Sequence, residues 1–263
     1  METLKKKDYE QLPWPGMGLK TKPAGLEKPP YEILSKLHNT PLEKRLLRWE
    51  GYYEYQTILD LIKEEKAQKI LDCAAGTGIL SAVLKVMNYS VEACDINPQY
   101  FQADGIVCKK VDLNKNMPYS NDTFDIVILN ETLHCLENPC NFIREAKRVL
   151  KKSGKLILSF PNTQNFFSRI KFFKKGELMG FHKSALYDRI TPLHYWQVEN
   201  LLQKFGFEIQ NIHINVMTKP RRFANRASLW RIFCSLVFIL PLEPKDKNFL
   251  FGHSLILKAI CNK

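Results

Sequence analysis

Three features are missing from this sequence of 263 residues, and each absence excludes a class of protein. No run of eighteen apolar residues occurs, so a membrane-spanning helix is not expected. Residues 1–7 are charged and no apolar run follows them, so they do not form a secretory signal. The seven cysteines include no C-x-x-C pair. This pattern indicates structural thiols in a reducing, cytoplasmic compartment rather than a zinc or redox centre.

Metal ligands and repeats are also scarce. No H-x-x-x-H motif occurs and no carboxylates cluster at ligand spacing, so the sequence predicts no metal site. There is no internal repeat. A chain of this length with 45% hydrophobic residues is typical of one large α/β domain with additions.

Positive charge is in excess, and it is unevenly distributed. Residues 49–150 contain 10 Lys or Arg and 15 Asp or Glu, a net charge of −5, whereas residues 151–263 contain 19 and 6, a net charge of +13. An acidic region beside a basic one suggests two ligands, one cationic and one anionic. The alternative is a basic surface that only keeps the protein in solution.

The chain divides into an arm and a main domain. Residues 1–39 are rich in Pro, Gly and Lys, which predicts an N-terminal arm with little regular structure. The segment Thr40-Pro41-Leu42-Glu43 predicts a helix start, with the helix running to about residue 65. Residues 40–263 form the main domain, in which 161–193 and 217–251 are long insertions.

Strand-like and helix-like segments alternate from residue 69 onwards. The strands are predicted at 69–73, 90–95, 106–112, 124–130 and 155–160, and near 207–216 and 253–261. The helices are predicted at 79–87, 139–152 and 194–204. Continuous apolar strands separated by helices indicate an α/β fold with a doubly wound, mostly parallel seven-stranded sheet and helices on both faces.

Polar side chains stand at the ends of four successive predicted strands. They are Asp72, Asp95, Asp112 and Asn130. Ligands of such sheets bind at the carboxyl ends of the strands, so these side chains mark a binding site.

The glycine turn after the first strand does not fit a nicotinamide dinucleotide. The motif G-x-G-x-x-G would place its third glycine at residue 81, which is a serine. Asp72, just before the turn, would also repel a pyrophosphate. A cationic ligand suits Asp72 better, and Asp95 is well placed to accept hydrogen bonds from a ribose diol.

In order and spacing, four segments resemble the class I S-adenosylmethionine-dependent methyltransferases, in particular the small-molecule branch typified by ubiquinone and menaquinone biosynthesis. They are "ILDCAAGTG", "VEACDINP", "VDLNKNMPYSNDTFDIVILNETLHCLENP" and "REAKRVLKKSGKLILSFPN". The resemblance covers about residues 45–216 and the strand near 253–261. It implies a Rossmann-like fold, S-adenosylmethionine as cofactor, and methyl transfer by in-line displacement to a small molecule.

The resemblance also implies roles for individual residues. Asp72 would orient the turn and approach the methionyl ammonium, while the amides around Ala74 to Gly78 would meet the methionyl carboxylate. Asp95 would bind the ribose hydroxyls. The remaining contacts would be Ile96 and Leu113 around the adenine, Asp112 on its exocyclic amine, and Asn130 and Glu131 beside the sulfonium. The complete expected set is Asp72, Cys73, Ala74, Ala75, Gly76, Gly78, Asp95, Ile96, Asp112, Leu113, Asn130 and Glu131.

Ala74 departs from the family pattern E/D-x-G-x-G-x-G, because this chain has D-C-A-A-G-T-G. A negative φ at this position would tolerate the methyl group, whereas a positive φ costs about 1 kcal/mol. A second hypothesis therefore stands beside the enzyme: a non-catalytic binding or scaffold protein that has kept the fold.

Two histidines are candidate catalytic bases for an oxygen or nitrogen acceptor. His134 follows the fourth strand, beside the expected sulfonium, and titrates near neutrality. His194 opens the predicted helix after the first insertion and is the second candidate. Ordinary packing and a role in the helix start are the respective alternatives. Tyr187, Asp188 and Arg189 are weaker candidates.

Both insertions have the composition of lids over an acceptor pocket. The segment "NFFSRIKFFKK" interleaves phenylalanines with cations, and "KPRRFANRASLWRIFCSLVFILPL" begins basic and ends apolar. The sequence predicts a small, anionic or partly lipidic acceptor, and possible peripheral membrane contact through 219–242. Nucleic acid is an alternative partner that no RNA-binding module supports. Nothing in the sequence indicates the oligomeric state.

Overall fold

The computed structural model describes residues 35–37, 40, 42, 49–181, 189–215 and 252–263. Within these ranges the helices are α1 (Trp49–Lys63), α2 (Ile79–Val86), α3 (Pro139–Val149), α4 (Phe166–Lys175) and α5 (Tyr195–Lys204). The strands are β1 (Lys69–Cys73), β2 (Ser90–Asp95), β3 (Cys108–Lys110), β4 (Phe124–Leu129), β5 (Leu150–Pro161), β6 (Phe207–Asn215) and β7 (Ser254–Cys261).

The seven strands form a single sheet in the order β3-β2-β1-β4-β5-β7-β6. Strands β1 to β5 run parallel to one another, and β7 runs antiparallel to both β5 and β6. The sequence prediction of a doubly wound, mostly parallel seven-stranded sheet is therefore confirmed. The strand order changes direction at β1 and β4, which is where such sheets bind ligands.

Alternate residues of the central strands supply two separate hydrophobic clusters, because successive side chains of a strand point to opposite faces. One cluster contains Leu71, Cys73, Val127 and Leu129 and packs against residues of α3 and α5. The other contains Ile70, Ile126 and Ile128 and packs against residues of α1 and α2. Both faces of the sheet are thus covered, which holds the loops at its carboxyl edge in place.

Helix α1 and the two residues that follow it are joined to β7 by polar contacts. Ser254 Oγ donates to Glu54 Oε1 at 2.8 Å, and Lys258 Nζ, on a side chain that is only 5% exposed, lies 3.0 Å from carboxylate oxygens of Glu64 and Glu65. These contacts fix α1 across the sheet, so Glu54 has a defined position near the carboxyl ends of the strands.

Some element boundaries differ from the sequence prediction. The helix expected to reach residue 152 ends at Val149, because Leu150 already has extended backbone (φ −69°, ψ 145°) and begins β5. Strand β3 is limited to Cys108–Lys110 within the predicted 106–112. The helix start predicted at Thr40 stays untested, because residues 41 and 43–48 lie outside the described residues; the Thr40 hydroxyl donates to the Leu37 carbonyl at 2.6 Å.

Several predicted features lie outside the described residues. They include most of the arm 1–39, residues 182–188 of the first insertion, and the whole second insertion 217–251, with its segment 219–242. Among the described helices, none combines the length and the apolar character that crossing a membrane requires.

Candidate active site

The turn after β1 is held by a buried hydrogen bond between its two flanks. Asp72, near the end of β1, is 2% exposed, and its Oδ2 accepts from Ser81 Oγ of α2 at 2.6 Å. Burial raises the pKa of Asp72 to about 6, although the Ser81 hydrogen bond acts in the opposite direction. Asp72 thus links the two flanks of the turn through Ser81, a partner that the sequence prediction did not name, and its role at the cofactor stays a prediction.

Ala74 has a φ of 53°, in the left-handed region that favours glycine. The strained alternative stated for this residue therefore applies, at a cost of about 1 kcal/mol. Its side chain packs against the core cluster on the α3 side of the sheet. The extra methyl group accordingly contributes to the core.

The two glycines of the turn are constrained differently. At Gly78 (φ 83°) a Cβ would stand 2.6 Å from Cε2 of Phe101, so no larger residue fits. At Gly76 (φ 55°) a Cβ would meet no described atom within 4 Å. Gly76 is exposed, so a ligand can approach its backbone closely; we call the open space between Gly76 and Asp95 the crevice.

Asp95, at the end of β2, forms the opposite wall of this crevice. Its Oδ2 accepts from the Gly76 amide and its Oδ1 from the Asn97 amide, each at 2.8 Å. Because each carboxylate oxygen has two lone pairs, both oxygens retain capacity for ribose hydroxyls. Asp95 therefore positions the turn as well as offering a ligand contact.

The amides of the turn are partly occupied within the protein. Those of Ala75 and Gly78 donate to the carbonyls of Cys94 and Ala75, at 3.1 and 2.9 Å, and that of Gly76 donates to Asp95. The amides of Ala74 and Thr77 are left to meet a carboxylate. Cys73 is fully buried beside Cys94 in the β1–β2 register, so only its backbone faces the turn.

The expected adenine contacts lie on either side of the same edge. Ile96 is 54% exposed, an apolar surface that a ring could cover, whereas Leu113 is 5% exposed and belongs to the core. Asp112 Oδ1 accepts from the Asn114 amide at 3.0 Å, which holds the pKa of Asp112 below its usual range. These residues, with the crevice and Asp95, fit S-adenosylmethionine.

The turn after β4 is the second polar centre of the site. Ser159 Oγ of β5 donates to Asn130 Oδ1 and accepts from the Glu131 amide, both at 2.7 Å. Glu131 has a φ of 49°, a second non-glycine residue in the left-handed region. Strain of this kind persists only where surrounding contacts impose it, and the Ser159 hydroxyl supplies such a contact.

The Glu131 carboxyl group is enclosed. Its Oε1 has no accessible surface and no hydrogen-bond partner among the described residues, although the residue as a whole is only partly buried. Burial, and then the charge of Glu54, raise the pKa of Glu131 to about 8, against the lowering effect of Arg189. Glu131 is therefore largely protonated at neutral pH.

His134 lies in a short 3-10 helix, Leu133–Cys135, directly after this turn. Its side chain is 1% exposed and stands edge-on to Phe181, with ring centroids 5.8 Å apart. Its carbonyl accepts from the Thr191 amide at 3.0 Å, and this hydrogen bond joins the last part of the first insertion to the site. The catalytic role of His134 stays a prediction.

His194 is the residue immediately before α5, and its ring is engaged there. Nδ1 lies 2.7 Å from Thr163 Oγ1, whose hydroxyl donates to the Leu193 carbonyl at 2.9 Å. Nδ1 therefore carries the ring proton and Nε2 is the basic nitrogen. The His194 amide donates to Gln197 Oε1 at 2.8 Å, and burial lowers the pKa of the imidazole. This geometry matches the helix-start alternative, and a catalytic role stays a prediction.

The described part of the first insertion contains α4, which has one buried and one exposed end. Asn165 Oδ1 caps it by accepting from the Ser168 amide at 2.8 Å, and Phe166 is 5% exposed. Phe173, near the other end, is 92% exposed. Arg189, a weaker candidate in the sequence, acts on Glu131, whereas Tyr187 and Asp188 lie outside the described residues.

Sequence reasoning missed the partners that place the site residues. Ser81 and Ser159 hydrogen-bond to site residues, and Glu54 acts on Glu131 by its charge, each from a separate element. Of these, only Ser81 had a local signal, because it opens the helix that follows the glycine turn. In the described portion of the chain, no three His, Cys, Asp or Glu side chains are arranged to hold a metal ion.

Comparison with known proteins adds a family. Residues 71–158 match the family described as "Methyltransferase domain". A demethylmenaquinone methyltransferase of Thermotoga maritima is 23% identical over 200 residues, 68% of this chain and 83% of that protein. An uncharacterised protein of Methanocaldococcus jannaschii is 32% identical over 94 residues, 36% of this chain and 43% of that protein. The chain thus spans less than half the length of the first curated relatives it matches.

Solved structures share the fold. A SAM-dependent methyltransferase of Archaeoglobus fulgidus superimposes with a TM-score of 0.56 over 83% of this chain and 97% of that one, at 13% identity. At this identity the likeness concerns the fold alone.

Proposed function

We propose that the chain carries a class I S-adenosylmethionine-dependent methyltransferase domain and transfers the cofactor's methyl group to a small-molecule acceptor. The observation that supports this most directly is the crevice beside Gly76, where a ligand would meet backbone on one side and Asp95 on the other. The match over residues 71–158 covers both walls of this crevice.

Each wall has a defined task in the proposed reaction. The amides of Ala74 and Thr77 bind the amino-acid carboxylate, Asp95 binds the ribose, and the exposed side chain of Ile96 covers the adenine. When bound, S-adenosylmethionine supplies an electrophilic methyl group on a sulfonium. The turn after β4 faces that end of the cofactor, and the residues around it align the acceptor and exclude water.

The acceptor is proposed to be partly lipidic or anionic. The name of the Thermotoga maritima relative supports the lipidic part, because that enzyme acts on a demethylmenaquinone. The basic last turn of α4, with Lys174 and Lys175 beside exposed Phe172 and Phe173, supports an anionic group or surface nearby. Peripheral membrane contact through 219–242 is part of the same proposal.

A non-catalytic scaffold protein is the second candidate function. The left-handed Ala74 favours it, because strain in the cofactor loop is what a protein released from catalysis would tolerate. Against it, the Ala74 methyl group packs on the core, so the departure from the family pattern carries little cost for binding.

Calorimetric titration with S-adenosylmethionine tests the proposal. The protein should bind it with micromolar affinity, and Asp95→Ala should weaken binding by at least about tenfold, because both a ribose contact and the anchor of Gly76 are lost. Asp104→Ala, which removes an exposed acid on the same side of the sheet, is the matched control and should bind normally. Absence of binding heat by the wild-type protein would favour the scaffold instead.

A further inference from the structure

Glu131 lies beside the cofactor crevice. In the β1–β4 pairing, Cys73 stands opposite Leu129, so the turns that follow the two strands are neighbours at the same edge of the sheet. Ala74 belongs to one turn and Glu131 to the other. On the proposed placement of the cofactor, a carboxyl group here would lie near its methyl group.

Residues of three elements act on Glu131. Ser159 of β5 holds the Glu131 amide, Glu54 of α1 acts on the carboxyl group by its charge, and Arg189 acts on it from the segment before α5. Glu54 is itself held by Ser254. Glu54 and Arg189 are the two charged groups, among the described residues, that bear on Glu131, and their effects are opposite.

The enclosed oxygen indicates a ligand contact. Glu131 Oε1 is buried without a hydrogen-bond partner among the described residues, whereas a buried polar atom is normally paired. The left-handed backbone at the same residue adds strain that no structural hydrogen bond of the carboxyl group repays. A hydrogen supplied by the acceptor molecule would satisfy this oxygen.

We propose that Glu131 accepts the proton of the acceptor atom during methyl transfer, and that the acceptor atom is therefore a hydroxyl oxygen or an amine nitrogen that bears a hydrogen. This rests on the proposed methyltransferase function. The acceptor's lone pair forms the new bond to the methyl carbon, the carbon–sulfur bond breaks with its electron pair remaining on sulfur, and the acceptor's proton passes to Glu131. The proton then leaves to solvent.

The ionisation of Glu131 suits this task. A base is most effective when its pKa lies near the working pH, and burial with the charge of Glu54 brings the pKa of Glu131 to about 8. His134, three residues further on, is 1% exposed and packed against Phe181. Glu131 is only partly buried as a residue, so it is the less deeply buried of the two.

The first test measures protonation and binding without turnover. Infrared difference spectra between pH 6 and pH 9.5 should contain a protonated-carboxyl band that titrates near pH 8 and is absent from Glu131→Gln. The same variant should bind S-adenosylmethionine within about twofold of wild type, because glutamine keeps the shape and the neutral state of the side chain. If the wild-type protein did not bind S-adenosylmethionine, the methyltransferase proposal would be overturned. If the Glu131 carboxyl band titrated in the usual range of a glutamate, only this inference would be overturned.

The second test measures S-adenosylhomocysteine production with a panel of hydroquinones, phenols and aromatic amines, and with their O- or N,N-dimethylated counterparts as proton-free controls. Turnover should require a hydrogen on the acceptor atom and should rise with pH to a plateau above about pH 8. Glu131→Gln should lower it roughly a hundredfold to ten-thousandfold. Glu137→Gln, an exposed glutamate of the same segment, is the matched control and should leave turnover unchanged.

Two further variants separate a base from a merely structural glutamate. Glu54→Gln removes a negative charge, so the midpoint of the pH profile should move to lower pH. Arg189→Gln removes a positive charge, so the midpoint should move to higher pH. Unshifted midpoints in both variants, full activity of Glu131→Gln, or no turnover of any hydrogen-bearing probe by protein that binds the cofactor would each overturn the inference.

Discussion

The turns after β1 and β4 are neighbours that share two features, a buried acid and a left-handed residue, but differ in whether the acid is hydrogen-bonded. Each has an acid whose pKa is raised by burial, to about 6 for Asp72 and about 8 for Glu131, and each has one non-glycine residue with a φ near 50°. Asp72 is paired with Ser81, whereas Oε1 of Glu131 has no partner among the described residues. Ala74 packs its side chain on the core.

The difference separates two uses of a buried acid. A carboxyl group whose hydrogen bond is made within the protein holds two elements together, and it has little capacity left for a ligand. A carboxyl group that is enclosed but unpaired keeps its hydrogen-bonding capacity for a molecule that arrives later. On this criterion Asp72 has a structural role, whereas Glu131 suits its proposed role as the catalytic base.

The largest expected effect is a dependence of stability on pH in two overlapping windows, of which the Glu131 window extends to higher pH. Because the folded protein holds protons on both acids more tightly than the unfolded chain, stability should fall as pH rises, from about pH 4 to 6 for Asp72 and from about pH 4.5 to 8 for Glu131. The total loss is on the order of 8 kcal/mol. Urea unfolding between pH 4 and pH 9 measures it.

Two isosteric variants assign the windows. Glu131→Gln should abolish the loss between pH 6 and 8, while Asp72→Asn should remove only the part below pH 6. If both variants flattened the same range, the two acids would be coupled rather than separate, and the comparison between the turns would fail.

A smaller effect is expected from Asp72→Ala, which should lower the free energy of unfolding by about 2 kcal/mol at pH 7. The substitution leaves the buried Ser81 hydroxyl without its acceptor, and an unsatisfied buried donor is costly. The double variant with Ser81→Ala should recover part of the loss, because both partners are then removed. Equal costs for the single and double variants would mean that the hydrogen bond does not hold the turn.

The smallest effect is expected from Ala74→Gly. Relief of the left-handed strain, about 1 kcal/mol, is offset by the loss of a methyl group from the core and by a more flexible unfolded chain. Stability should therefore change by less than about 1 kcal/mol, with unchanged affinity for S-adenosylmethionine in calorimetry. A large gain in affinity would show that the methyl group does obstruct the crevice.

Local pattern was enough to predict the parallel sheet and the strand-end acids, because strand periodicity and the position of an acid after an apolar run are written in adjacent residues. The sign of φ at Ala74 could not be predicted, since alanine occurs on both sides of zero and the Asp95 contact that shapes the turn comes from another strand. The pKa of Glu131 depends in part on the charges of Glu54 and Arg189, which are distant from it in the sequence. The roles assigned to His134 and His194 stay predictions.

Strand β7 is the seventh in chain order, yet it lies between β5 and β6. Among the described strands, β6 pairs only with β7, so during synthesis β6 and one edge of β5 stay without their described partner until residues 254–261 follow. The nascent protein therefore passes through a stage with two unpaired strand edges, which is when chaperones would be most needed. Since β7 also supplies Ser254 to Glu54, the acceptor side of the site would be assembled last.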